Sequence, residues 1–498
     1  MEIFSASGSK MLDSETINTI GIPSIVLMEN AAEGIFNRIV HKGEKFIFFC
    51  GVGNNGGDGL AIARKLILAG KTVYIYVCGS ILKASNEFNI NYRILINMGI
   101  VINEVSIEQL EDVGKYIKES DVVVDAIMGV GLNRGIEGDL YSIIQAINKY
   151  SKHTISIDIP TGLDCNLGKE LNIAVRAKET FTIEVMKKGF FSLDAKKFLG
   201  NVYIVPIGIP KAIKEKYTEN IFLLSRDDYK KILPVRNLYG HKGNYGKVLI
   251  LAGSKGMTGA AYITTESVVR SGAGLVNLLV EEEIQGILAN KLIEAMTITY
   301  NEEEKIDRLI RDVDVIICGP GLSKRDNNRK MLIRCIKNSK CPMVMDADAL
   351  NIISEESELL SYIEGRAIFT PHPGEMSRLV KQTIKEVEEN RIDVCKKYSG
   401  ENNIITVLKG YNTVISNGSS VVINETGSSK IASGGMGDCL TGIVGGLVAQ
   451  GINLYDSAKL GVYIHGLIGD ELGKDRYCVN ARDIIEELPK ALENILKN

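Results

Sequence analysis

Short apolar runs that stop at glycine recur along this chain, and that rhythm limits its possible folds more than any other feature. Glycine is abundant, 50 residues against 10 prolines, and falls at the ends of the runs instead of in one low-complexity block. In the first half, FIFFC (46–50), VYIYV (73–77), VVVDA (122–126) and ISIDIP (155–160) read as strands. Near-continuous apolar character is what strands buried on both faces of a parallel sheet show. Between the first two, Leu60, Ala61, Ala63, Leu66 and Ile67 recur at helical spacing and predict a helix over 58–69. Strands alternating with amphipathic helices across glycine loops predict a doubly wound, Rossmann-like α/β layer.

After VYIVPIGIP (202–210), the charged and weakly apolar KAIKEKYTEN (211–220) reads as a linker and places a boundary near 211–225. The rhythm then restarts with KVLILAG (247–253), VDVIICGPG (313–321), MVMDADA (343–349), AIFTPHPGE (367–375) and IITVLKG (404–410), which predicts a second α/β domain. An Asn-Gly between two β-branched runs in VISNGSSVVI (414–423) predicts a hairpin and an antiparallel sheet edge. A length of 498 residues suits two large domains. With 45% hydrophobic and 24% charged residues, a disordered, collagen-like or coiled-coil chain is excluded.

A formal charge of -3 lacks the basic excess of a nucleic-acid binder. Nine scattered cysteines without C-x-x-C suggest neither a disulfide framework nor a zinc cluster. The opening MEIFSASGSKML is not a basic-then-apolar leader, and no run reaches the ~18 apolar residues of a membrane span. A cytoplasmic protein without membrane or nucleic-acid partners is the expectation, and a homo-oligomer is expected as well.

Chemistry concentrates in a few loops. CGVGNNGGDGLAIA (50–63) stands between a predicted strand and a predicted helix, so its glycines can bring backbone N–H groups and the helix N-terminus to an anion such as a pyrophosphate. A tight turn alone would also explain the glycines, although not Asn54, Asn55 and Asp58. Asp125 and Asp158 end strands, Thr161 follows, and GVGLNRG (129–135) is a second glycine loop. Such aspartates serve either as turn residues or in chemistry; loops at the carboxyl ends of one sheet can converge on one crevice.

In the second half, GSKGMTGAA (253–261) opens a helix with small residues, and VLKGYNT (407–413) ends a strand with a lysine that reads either as a phosphate ligand or as a solvated side chain. ETGSSKIASGGMGDCLTGIVGGLVA (425–449) gives the sharpest signal. Gly434, Gly435 and Gly437 precede a small-residue helix, so backbone N–H groups can form an anion hole beside Asp438. A carboxylate there would repel phosphate, but suits a base activating a hydroxyl for attack on a phosphoryl group. An N-cap aspartate is the plainer alternative.

MLDSETINTIGIPSIVLMENAA (11–32), NNGGDG, VVVDAIMGVGLNRG and SIDIPTGLD resemble the epimerase domain of the enzymes that repair hydrated nicotinamide cofactors, NADHX and NADPHX. The resemblance covers about residues 1–215. It implies hydrate binding by Asn54, Asn55, Gly56, Gly57 and Asp58 and by Gly129, Val130, Gly131, Leu132, Asn133, Arg134 and Gly135. It implies Asp158 at the damaged ring, as general acid and base, and a potassium ion held by Asn55, Asp125 and Thr161.

HKGNYGKVLILAGS, GMTGAA, CGPGL, MDADAL, TPHPGEM, LKGYNT and GGMGDCLTG, in that order, resemble the ADP- or ATP-dependent dehydratase of the same repair system, a branch of the ribokinase-like fold, over residues 225–498. Ala260, Gly321 and His372 would then contact the hydrate, Lys409, Gly410, Tyr411, Asn412, Thr413 and Gly437 the adenine nucleotide with magnesium, and Asp438 the hydrate hydroxyl. GSSKIASGGMGD, 427–438, departs from the common bacterial pattern at Ser428, Ser429, Lys430 and Met436; ADP stays ahead of ATP as the expected donor. The rival expectation is a ribokinase-like small-molecule kinase with a non-catalytic first domain.

Overall fold

A computed structural model describes residues 1–105, 110–132 and 134–497. The chain divides into two compact units, Glu2–Ile221 and Phe222–Asn498, the latter with Met1.

The first unit contains β1 Ile3–Phe4, β2 Lys45–Gly51, β3 Thr72–Cys78, β4 Ile102–Glu104, β5 Val122–Ala126, β6 Thr154–Ile157, β7 Glu179–Ile183, β8 Met186–Lys187 and β9 Asn201–Val205. Seven of them form a parallel sheet in the order β4-β3-β2-β5-β6-β7-β9, while β1 pairs with β8. The chain winds outward from β2 to β4 and then restarts at β5 on the other side. The carboxyl ends of β2 and β5 therefore flank a switch point, where a doubly wound sheet opens a crevice.

Strand alternation sends Phe46, Phe48 and Cys50 of β2 to one face and Ile47 and Phe49 to the other, and both faces are covered. Two helices shape the crevice, α1 Ala6–Glu15 and α2 Asn54–Leu68. A Cβ on Gly56 would fall 1.6 Å from the Gly51 carbonyl oxygen, so only glycine lets α2 start directly over the end of β2. Residues 211–220, which read as a linker, are fastened to this unit. Lys211–Lys216 is helical with Ile213 buried, Lys214 pairs with Glu184 at 2.7 Å, and the Tyr217 hydroxyl donates to Glu15 at 2.8 Å.

The second unit holds β10 Ile221–Leu223 at its border, then β11 Lys247–Leu251, β12 Leu275–Val280, β13 Met296–Thr299, β14 Val315–Cys318, β15 Met343–Met345, β16 Ala367–Phe369, β17 Ile405–Leu408, β18 Thr413–Ser416 and β19 Val421–Asn424. They form one sheet ordered β10-β19-β18-β17-β16-β15-β14-β11-β12-β13. From β13 to β17 the pairing is parallel, and the β17-β18-β19 edge is antiparallel, with the hairpin where Asn417-Gly418 predicts it. The switch point lies between β11 and β14.

Five helices matter for the site: α3 Thr258–Arg270, α4 Pro373–Val380, α5 Met436–Ala449, α6 Leu454–Gly473 and α7 Ala481–Lys497. α5 is buried over nearly its whole length, as a helix apolar all round must be. A Cβ on Gly442 would lie 2.4 Å from the Thr264 carbonyl oxygen, so the small residues of α5 let it touch the backbone of α3. Among the described residues no helix is long and apolar enough to cross a membrane.

Candidate active sites

At the β2/β5 switch point a cavity of about 630 Å³ opens. Asn54, Asn55 and Asp58 from the start of α2, the loop after β5 from Gly129 to Leu132 with Arg134, Asp158 after β6, and Asp13 and Lys187 form much of its wall. Asp158 sits at φ +64, a left-handed conformation that aspartate tolerates better than most side chains. Its amide donates to the Phe181 carbonyl at 2.8 Å. Its Oδ1 pairs with the Lys187 ammonium at 2.9 Å and accepts the Ile183 amide at 3.1 Å. Its Oδ2 faces the glycine loop, 3.3 Å from where a Cβ on Gly129 would stand.

Asn55 has both side-chain amide atoms buried and without a hydrogen-bond partner. A cost of roughly 1–3 kcal/mol attaches to each such group, so the arrangement suits a ligand that fills it. Gly129 links it to Asp158, since a Cβ there would also lie 3.5 Å from Asn55. Asp125 is fully buried, accepting Thr161 Oγ1 at 2.6 Å, the Thr161 amide and Ser156 Oγ at 2.8 Å each, and the Ile127 amide at 3.3 Å. Burial raises its carboxyl above the ordinary range against the pull of those bonds. Thr161 Oγ1 accepts the Met128 amide at 3.0 Å, which ties this pair to the cavity loop. For Asp58, burial, with Asp158 and Asp13 adding to it, pushes the carboxyl well above its usual range and favours the neutral acid.

In the second unit, Asp346 follows β15 and is buried. One oxygen pairs with the Lys409 ammonium at 2.7 Å and the other accepts the Thr441 hydroxyl of α5 at 2.8 Å. A Cβ on Gly437 would lie 3.3 Å from that ammonium, so the first turn of α5 rests on the pair. Burial, and then Asp346, push Asp438 up to about 6, with Lys409 opposing. Gly435, at φ +86, turns the chain into α5, and Gly434 has open space where a side chain would stand.

His372 caps α4: its Nδ1 accepts the Gly374 amide at 3.0 Å, and Glu375 accepts the His372 amide at 2.8 Å. An accepting Nδ1 leaves the proton of the neutral ring on Nε2. Burial, then Lys409 and Arg378, hold the ring below the usual histidine range. Gly321 stands beside Ala260, since a Cβ on it would be 2.8 Å from the Ala260 Cβ.

The chain matches two family profiles, one described as YjeF-related protein N-terminus over residues 24–189 and one as NAD(P)H-hydrate dehydratase over 248–490. The bifunctional NAD(P)H-hydrate repair enzyme Nnr of Moorella thermoacetica is 34% identical over 99% of this chain and 97% of its own length. The chain belongs to the bifunctional NAD(P)H-hydrate repair enzymes. The Escherichia coli member is 30% identical over 92% of this chain and 87% of its own. A solved ribokinase-like superfamily protein of Enterococcus faecalis aligns with 56% of this chain and 98% of its own, at 27% identity and a TM-score of 0.53.

In this repair enzyme the residues read from the sequence divide by surroundings. Asn54, Asn55, Asp58, Gly129, Val130, Gly131, Leu132, Arg134 and Asp158 line one cavity. Gly56 and Gly57 are instead pressed against Gly51 and Met28, Gly135 lies by Asn172, and Asn133 is outside the described residues. Lys409 is an ion-paired, half-buried lysine, not a freely solvated one. The Lys430 ammonium donates to the Arg476 carbonyl at 3.0 Å. Sequence reading passed over Asp13, Lys187, Asp346, Glu375 and Thr441. Asp346 had the same strand-end signal as Asp125 and Asp158, within MDADAL. Lys187 stands in a polar KK pair and had none.

Proposed function

We propose that residues 1–215 interconvert the R and S hydrates of NADH and NADPH, and that residues 225–498 return the S hydrate to the reduced cofactor using ADP, or ATP in its place. The hydrate carries a hydroxyl on the ring carbon next to nitrogen, so inversion needs a proton delivered to or taken from that oxygen. Supporting this role for Asp158 is its Oδ2, turned to the cavity while Oδ1 is tied to Lys187 and Ile183. A positioned acid or base of this kind contributes about 10²–10⁴-fold.

A potassium ion fits the donor set of the first unit. The orphaned Asn55 amide, with the Asp125 carboxylate and Thr161 hydroxyl behind the same loop, offers only hard oxygen ligands. Asn55, Asp125 and Thr161 would hold the ion, which supplies a fixed positive charge. The protein's own contribution is to keep the loops after β2 and β5 together around the substrate.

For the second unit, Asp438 takes the proton of the hydrate hydroxyl, and that oxygen attacks the terminal phosphorus of the nucleotide. N–H groups of the loop from Gly434 to Gly437 hold the phosphoryl oxygens, and Lys409 is the nearby positive charge. Lone-pair electrons of the ring nitrogen then expel phosphate, a proton leaves the neighbouring carbon, and the products are the reduced cofactor, phosphate and AMP from ADP. Magnesium, bound with the nucleotide, supplies charge neutralisation. The observation supporting this reading is Asp438 beside the anion hole with its carboxyl poised near 6. Incubating the S hydrate with the enzyme, magnesium and ADP, ATP or neither tests it; a stable phosphorylated hydrate would favour a kinase instead.

A further inference from the structure

Lys187 has no part in the chemistry above, yet its side chain is only 2% exposed on the wall of the first unit's cavity. An ammonium has three N–H donors. Here all three have acceptors, Asp158 Oδ1 at 2.9 Å, the Ile183 carbonyl at 2.9 Å and the Val185 carbonyl at 3.1 Å. No donor remains for a substrate, so the lysine can act only through what it holds. Of the other carboxylates around it, Asp13 on the same cavity wall is reached by its charge alone, since its three donors are taken, and Glu184 is already committed to Lys214 and the Ile207 amide. Asp158 is held on one oxygen alone, by Lys187 and the Ile183 amide.

We propose that Lys187 is a positioning residue for epimerisation, pinning Asp158 Oδ1 so that Oδ2 is always the oxygen presented to the hydrate hydroxyl. The inference rests on Asp158 as the proton-transfer group. Two fixed donors on one oxygen prevent the carboxylate from rotating about its Cβ–Cγ bond and exchanging its oxygens. A reacting atom displaced by about 1 Å loses on the order of 10²-fold in rate. The pair also explains how a left-handed aspartate stays fixed at the end of β6, because separating two buried opposite charges is strongly unfavourable.

The test is a double-mutant cycle in the full chain, with Lys187→Met, Asp158→Asn and both together, following the R to S ratio of NADHX over time. Lys187→Met should lower kcat for epimerisation by about 10²-fold with KM changed less than about threefold. Dehydration of pure S hydrate should stay at the wild-type rate. In the Asp158→Asn background the lysine change should cost nothing further, since its effect passes through that carboxylate. An equal loss in both backgrounds, or wild-type kcat in Lys187→Met, overturns the proposal. Wild-type epimerisation in Asp158→Asn alone overturns the reading beneath it, which keeps the two failures apart. Should the methionine variant fail to fold, Lys187→Gln retains polar donors without the charge and is read in the same cycle.

Discussion

Asp158 and Asp438 carry the two proposed proton transfers, one in each unit. Asp438 must be ionised to accept a proton, and its carboxyl is pushed up to about 6. Dehydratase kcat should therefore be level above about pH 7 and fall close to tenfold per unit as pH drops through about 6. A profile flat to about pH 5 would contradict Asp438 as the base. Replacing it, Asp438→Asn, should lower turnover by about 10²–10⁴-fold while calorimetric nucleotide affinity stays near wild type, because the N–H donors of the loop remain. Both aspartates were legible in the sequence because each ends a strand or begins a helix at a glycine loop. Their ionic partners were not. Asp346 and Lys409 lie 63 positions apart and meet only because β15 and β17 flank β16, and Lys187 reaches Asp158 only after β7 has returned beside β6.

At the scale of the element, the glycine loops and the apolar strands were legible, but strands interrupted by polar residues were not. β7, ETFTI, alternates polar with apolar residues and is nevertheless central between β6 and β9; β12 has a buried Asn277 in mid-strand. Burial on both faces decided these strands, and a local run of letters does not contain it. The glycines of α5 act through close approach. Gly442→Ala would drive a methyl group into the backbone of α3, so the denaturant transition of the second unit should lose about 1–3 kcal/mol. An unchanged midpoint would mean that α3 moves aside freely. At the start of α2, the unpartnered Asn55 amide leads to the expectation that epimerisation and thermal stability are higher in potassium than in a bulky organic cation. Equal values in the two buffers would remove the ion from the site.

On the scale of the whole molecule, each unit is a doubly wound sheet with its own switch point, and each carries one of the two aspartates proposed for proton transfer. The two chemistries are therefore separable by single substitutions. Asp158→Asn should lower R to S conversion by about 10²–10⁴-fold while ADP-driven repair of pure S hydrate stays near the wild-type rate, measured as recovered reduced-nicotinamide absorbance. Proportional loss of both activities would show that the units do not act independently. The central claim is that phosphorylation in the second unit ends in elimination. Its most direct test supplies S-NADHX, ADP and magnesium to the full chain and follows nicotinamide absorbance, AMP and phosphate together. The account predicts that the three rise one for one; a phosphorylated hydrate that accumulates while the absorbance stays flat would contradict it.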